Sequence, residues 1–282
     1  MGIDVKYRRL VTCYPIILFC LKDYSNEEHS FGLIAAVAVI IAFVTFDKPE
    51  EPTVTSGIPD PLRIGTEGAY PPFNGMDANG NLIGFDVDIA MALCEEMKAN
   101  CELIAQDWDG IIPALVANKY DAIIASMSIT DERKQTIDFT NKYYSNYLAI
   151  IGAKGKVSGP EDLSGKAVGA QRSTLASQWA EDNLTGQADV KLYDTQTAAY
   201  ADLSAGRLDA MVSDIYPAMD WLEDNQGYEL AGDKIDIKDQ IGIGIRQGEG
   251  ELKTAFNKAI EAIRANGKYA EINAKYFSAD IF

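Results

Sequence analysis

The chain opens with two apolar runs and then breaks into short segments that alternate between two periods. Residues 10–21 follow Lys6, Arg8 and Arg9, and residues 31–46 (FGLIAAVAVIIAFVTF) carry no charge. The first run is too short to cross a bilayer. The second is slightly short for a span, long for the apolar part of a signal peptide, and not followed by an A-x-A cleavage site. A single span at 31–46 with the basic end inside places the remainder outside the membrane. A cleaved signal, a retained membrane anchor, and an over-long start in which residues 1–30 are not made remain alternative readings. Residues 47–60 (DKPEEPTVTSGIPD) are acidic and proline-rich and read as a linker.

Beyond residue 60 the pattern predicts alternating strands and helices. LRIGT at 62–66 is a short strand, and Asn79-Gly80 supplies a turn. GFDVDIAMALCEEM at 84–97 begins extended and becomes a helix, with Ile89, Leu93 and Met97 recurring on one face. A short helix is expected at 111–117 and a buried strand at 121–126 (DAIIAS). Further strands are expected at 167–170, 190–193 and 210–212, and a late amphipathic helix at 251–266. Strands interleaved with helices imply an α/β fold with mainly parallel pairing. One internal echo adds to this. ALVANKYDAIIAS at 114–126 resembles DLSAGRLDAMVSD at 202–214, which sets Ser126 and Asp214 at corresponding strand ends. In open α/β sheets ligands sit at such ends.

Composition narrows the chemistry. Of 282 residues, 42 are acidic and 25 basic, for a net charge of −17. An acidic body repels nucleic acid and anionic lipid and biases toward cationic solutes. The single histidine is His29, so residues beyond it have no Ser-His-Asp or Cys-His catalysis and no histidine-ligated metal. The cysteines fall into two pairs, Cys13/Cys20 and Cys94/Cys101, neither with CxxC spacing. No cofactor is expected.

The segment 84–97 fits the signature of the family 3 bacterial solute-binding proteins. IGTEGAYPPFN (64–74), WDGIIPAL (108–115) and DAIIASMSITDERKQTIDFT (121–140) resemble the lysine/arginine/ornithine- and histidine-binding branch. The resemblance runs from about residue 61 to 282. It implies a two-lobed periplasmic-binding-protein fold of type II, each lobe a mainly parallel sheet with flanking helices. Lobe 1 would be 61–146 plus 243–282 and lobe 2 147–242, with two hinge segments near 145–149 and 239–243. Such a protein closes over one amino acid outside the cytoplasm and delivers it to the permease of an ABC transporter, as a monomer and without catalysis.

The resemblance also implies roles. Arg133 would grip the ligand's α-carboxylate bidentately. Ser126 and Ser128 would accept from the ammonium or donate to the carboxylate. Asp214 would meet the α-ammonium, although a helix N-cap before Tyr216-Pro217 is an equally local reading. Thr174 would offer its amide and hydroxyl to the carboxylate, in a loop where relatives commonly have Gly-Thr and this chain has Ser173-Thr174. Arg172 beside it is either a second anion contact or simply exposed. Glu67 stands where binders of basic amino acids usually carry Asp, and Tyr70 and Trp108 would flank the ligand side chain. Ala125 replaces a serine of some relatives. A Cys94–Cys101 disulfide is implied by the bridge at the same positions in related binders. The ligand set is arginine first, then lysine, ornithine, histidine or an opine. The competing function is a cyclohexadienyl-dehydratase-like enzyme, with Glu67 or Asp214 as its acid.

Overall fold

The computed structural model describes residues 57–282. The early alternation resolves into a strand–helix–strand–helix–strand run: β1 (Leu62–Thr66), α1 (Phe85–Met97), β4 (Cys101–Ala105), α2 (Ile111–Val116) and β5 (Ala122–Ile123). A small hairpin, β2 (Gly75–Met76) and β3 (Leu82–Ile83), interrupts it and holds the Asn79-Gly80 turn. β1 pairs in parallel with β4 on one side and β5 on the other. A second run repeats the plan with β7 (Ala167–Gln171), α3 (Leu175–Leu184), β8 (Asp189–Tyr193), α4 (Gln196–Ser204) and β9 (Ala210–Asp214). There β7 pairs in parallel with β8 and β9. The echo between 114–126 and 202–214 therefore marks equivalent parts of two similar units.

Two long strands join the units. β6 (Ile137–Ala153) and β11 (Ile235–Arg246) run antiparallel to each other, with Ser145 opposite Gln240 and Asn146 opposite Asp239. β11 also pairs with β5, and β6 with β9, so the sheet order is β4-β1-β5-β11-β6-β9-β7-β8. β10 (Tyr228–Leu230) adds to β6. The sequence predicts no strand at either place; the expected crossings near 145–149 and 239–243 lie within these two strands. The β6 sequence, IDFTNKYYSNYLAIIGA, follows no clean two-residue alternation because successive parts of it pack in different units. The chain ends with α5 (Ile215–Asp224) preceding β10, and α6 (Gly250–Ala265) and α7 (Lys268–Tyr276) following β11.

Helix α1 shows why the signature takes its form. Ile89 and Leu93 are fully buried, and Met97 packs against the same core as Phe256 of α6 and Tyr269 of α7. Gly84, at φ 125°, has the carbonyl oxygen of Phe73 2.3 Å from where a Cβ would stand, so no side chain fits. Lys98 ends the helix in the left-handed conformation, and Cys94 in its last turn is bridged to Cys101 at the start of β4. The C-terminal residues return to β6. The Ser145 amide donates to the Ile281 carbonyl at 2.9 Å, and the Tyr269 hydroxyl to that of Tyr143 at 2.8 Å. The second unit has its own apolar core around Val168, Ala180, Leu184 and Val212. Among the described residues no helix is long and apolar enough to cross a membrane. Residues 31–46, His29 and the Cys13/Cys20 pair lie outside the described residues.

Candidate functional site

The carboxyl ends of β1, β4 and β5 in one unit and of β7 and β9 in the other face a common cleft, the position topology favours for ligands. Glu67, Tyr70, Trp108, Ser126, Ser128, Arg133, Thr174 and Asp214 all line one pocket there, together with Ala125, Gln171 and Leu175. Its walls are drawn together by hydrogen bonds across the cleft. Gln171 Nε2 donates to Glu67 Oε1 at 2.7 Å, and the Tyr70 hydroxyl to Asp214 Oδ2 at 2.6 Å. Trp108 Nε1 and Arg133 Nη2 both donate to the Ser173 carbonyl, at 3.2 and 2.9 Å. In this arrangement the cavity is about 20 Å³, room for about one water. A larger solute fits only when these bonds part.

The floor on the first side is held by a buried carboxylate. Asp86, from the signature segment, accepts from Asn74 Nδ2 at 2.9 Å, Ser126 Oγ at 2.9 Å and the Tyr143 hydroxyl at 2.7 Å. Burial pushes its carboxyl up to about 6 against those three hydrogen bonds. The knot fixes Ser126 at φ 52°, with its amide donating to the Tyr143 oxygen at 3.1 Å. Because the Ser126 hydroxyl hydrogen is committed to Asp86, that hydroxyl has only acceptor lone pairs to offer the pocket. The same holds for Ser128, whose hydroxyl donates to Asp239 at 3.1 Å. Arg133 is anchored by Nη1 to the Ser128 carbonyl at 2.8 Å, and its guanidinium carbon lies 5.3 Å from the Trp108 ring centre. Those contacts leave the rest of its N–H fork for an anion. Burial lowers its proton affinity, opposed by the charges of Asp239, Glu132 and Asp214.

Three buried carboxylates, Glu67, Asp214 and Asp239, share this region with the one guanidinium of the pocket. Burial raises Glu67 to about 7 against the Gln171 hydrogen bond. Asp214 is raised to about 7 by burial and by the charge of Asp239, while Tyr70, Asn146 and Arg133 pull it down. Burial also raises Asp239. Asp214 occupies the N-cap position of α5 but makes no side-chain cap, so its carboxylate serves the cleft. Thr174 does cap α3. Its hydroxyl donates to the Gln171 carbonyl at 2.7 Å and accepts from the Ser177 amide at 3.1 Å, while its own amide donates to Ser177 Oγ at 3.2 Å. Both of its donors are thus used within the cap. Arg172 is neither free nor at the pocket: it pairs with Asp194 at 2.8 Å and Asp109 at 3.7 Å.

Sequence reasoning did not single out Gln171, Asp239, Asn146 or Asp86. Asp86 left a trace, an acid on the apolar flank of the predicted helix. Asp239 and Asn146 left none, because their strands were not foreseen. They face each other across β6 and β11, Asn146 Nδ2 donating to Asp239 Oδ2 at 3.0 Å, and the Oδ1 atom of each has no hydrogen-bond partner among the described residues.

Comparison with known proteins agrees with this geometry. The chain is 46% identical over 232 residues to the L-arginine-binding protein of Pseudomonas aeruginosa, covering 79% of this chain and 90% of that one. It is 37% identical over 237 residues to the lysine/arginine/ornithine-binding periplasmic protein of Escherichia coli, covering 80% and 91%. Among solved structures, an ancestral arginine-binding protein bound to arginine superposes with a TM-score of 0.73 at 37% identity, covering 77% of this chain and 98% of that one. The sequence pattern of the bacterial extracellular solute-binding proteins, family 3, matches residues 62–279. With its two-lobed α/β fold and strand-end cleft, the chain belongs to that family.

Proposed function

We propose that this protein is the extracytoplasmic substrate-binding component of an ABC amino-acid importer, and that its ligand is a cationic L-amino acid, with arginine ahead of lysine, ornithine and histidine. The observation that carries this reading is the charge balance of the pocket: two carboxylates, Glu67 and Asp214, line it with one guanidinium, Arg133, and a third carboxylate, Asp239, lies close enough to act on both Asp214 and Arg133. A zwitterion with a cationic side chain brings net positive charge to that set, while glutamate adds another unpaired anion. In this reading Arg133 holds the α-carboxylate, and Asp214 with the acceptor oxygens of Ser126 and Ser128 holds the α-ammonium. Glu67 pairs with the distal cation between Tyr70 and Trp108. Thr174 shapes the carboxylate end from the opposite wall. The lobes are 61–146 with 243–282, and 147–242, and the permease is the partner that receives the ligand.

A second reading has one observation behind it. A carboxyl near 7 is what a dehydratase acid needs, and Glu67 and Asp214 both lie there. Their partners favour binding instead: an arriving ammonium lowers each by charge and converts it into an ion-pair acceptor. Calorimetry tests the proposal. Arginine should bind more tightly than glutamine or glutamate by at least about 3 kcal/mol, the cost of an unpaired buried charge. Equal or better glutamate binding overturns the ligand class. A prephenate-like substrate should be returned unaltered, and turnover that vanishes in Asp214→Asn would replace transport with catalysis.

A further inference from the structure

Ser173 makes three contacts across the cleft. It stands between β7 and α3 at φ 60°, in the left-handed region that glycine enters freely and a side chain resists. The capping box of Thr174 and Ser177 begins immediately after it and fixes the turn. That turn directs the Ser173 carbonyl at the opposite wall, where it accepts from Trp108 Nε1 at 3.2 Å and Arg133 Nη2 at 2.9 Å. Its hydroxyl donates to Asp109 Oδ1 at 3.2 Å. On the inner side lies the pocket, and on the outer side a groove whose lining includes Glu132, Arg172 and Glu181.

Arg133 is therefore held from both walls, by the Ser128 carbonyl on its own side and the Ser173 carbonyl on the other. A guanidinium with one fixed partner can still swivel about it. With two, on different nitrogens, its plane is set, here beside the Trp108 ring. The same carbonyl ties Trp108 to the second unit, so orienting the fork and closing the cleft are one event.

We propose that Ser173 is a positioning residue for the Arg133 fork and the latch of the closed cleft, setting how long a ligand stays rather than how fast it arrives. The proposal rests on the reading of the cleft as a ligand site. Asp109 is the latch's partner on the first wall, and neither residue needs to touch the ligand.

The test uses full-length protein and three variants. Ser173→Val opposes the left-handed turn, Asp109→Ala removes both the hydroxyl's acceptor and the carboxylate that faces Arg172 at 3.7 Å, and Asp109→Asn keeps the acceptor while losing the charge. By stopped flow with arginine, Ser173→Val should raise koff about tenfold, and Asp109→Ala about two- to fivefold, with kon unchanged. Asp109→Asn should behave as wild type. A second readout needs no ligand. In protein carrying 15N-tryptophan, the Trp108 indole N–H resonance should move upfield in Ser173→Val as its hydrogen bond is lost, and stay in place in Asp109→Asn. An unchanged koff in both Ser173→Val and Asp109→Ala, or a fall in kon that accounts for the lost affinity, overturns the latch. If the wild type binds no amino acid, the ligand reading fails on its own. The indole resonance still decides the latch, and an unmoved signal in Ser173→Val rejects it.

Discussion

The two strand–helix–strand–helix–strand units face each other across the cleft, built alike but stiffened differently. In the first, α1 is bridged to β4 through Cys94 and Cys101, packs on α6 and α7, and carries the buried Asp86 beneath the pocket loop. The second has no disulfide among the described residues, and its helices α3 and α4 each start from a threonine cap, Thr174 and Thr195. The first wall presents Glu67, Tyr70, Trp108, Ser126, Ser128 and Arg133. The second presents Gln171, Thr174 and Asp214. In the proposed function the stiffer first wall would dock most of the ligand and the lighter second wall would cover it, so that few side chains need ordering on binding. Closure would then answer to contacts made only in the closed state.

The largest expected effect breaks the stiff wall. Asp86→Ala leaves Asn74, Ser126 and Tyr143 without their buried acceptor. Chemical denaturation should show a loss of about 3–5 kcal/mol. The second unit's buried polar cluster, Gln196 with Tyr200 and Ser213, contains no carboxylate, so a loss under about 1 kcal/mol would erase the asymmetry. Next, Arg133→Lys keeps the charge and loses the fork, and should weaken arginine binding by about 2–4 kcal/mol with stability little changed. Titration calorimetry and a melting curve on the same sample separate the two quantities. Unchanged affinity would move the carboxylate site off Arg133.

Removing the bridge with the paired change Cys94→Ser and Cys101→Ser should cost about 2–3 kcal/mol of stability, the chain-entropy value for a short loop. Arginine affinity should hold within about twofold, because the bridge stiffens α1 without touching the pocket. The smallest effect is one of pH. Glu67 and Asp214, both raised to about 7, bind a proton more tightly folded than unfolded. The stability they contribute is complete below their unfolded values near 4 and is lost as pH rises through about 7. Unliganded protein should thus be less stable at pH 8 than at pH 5, a difference that Glu67→Gln reduces. Arginine binding near pH 7 should release protons, seen as a dependence of the binding heat on the buffer's ionisation enthalpy.

The short strands and α1 were legible because each lies within one unit and keeps one burial pattern along its length. β6 and β11 were not, because each crosses between units and changes partners partway: β6 meets β11 through residue 148 and β9 from residue 148 to 152. The pocket residues were legible where a motif fixed them, as with Arg133 and Ser128 around SITDERK. Asp239 and Asn146 were hidden inside those crossing strands. Thr174 was legible in position but not in its bonding, since only the three-dimensional cap reveals where its donors go. Ser173 showed up in sequence as a departure from a glycine. Its positive φ turns that departure into a carbonyl aimed across the cleft.

The return of the C-terminal residues to the first wall has a consequence for how the chain is made. The core beneath α1 needs Phe256, Tyr269 and Ile281 from the far end of the sequence, whereas β7 to β9 are contiguous. On the ribosome the second unit can close as it emerges. The first waits, with Phe85 and Leu93 lacking their partners for roughly 10–40 s at ordinary synthesis rates. During that interval the apolar face of α1 is open to chaperones and to other nascent chains. Its length is set by the order in which residues appear and not by how stable the finished wall becomes.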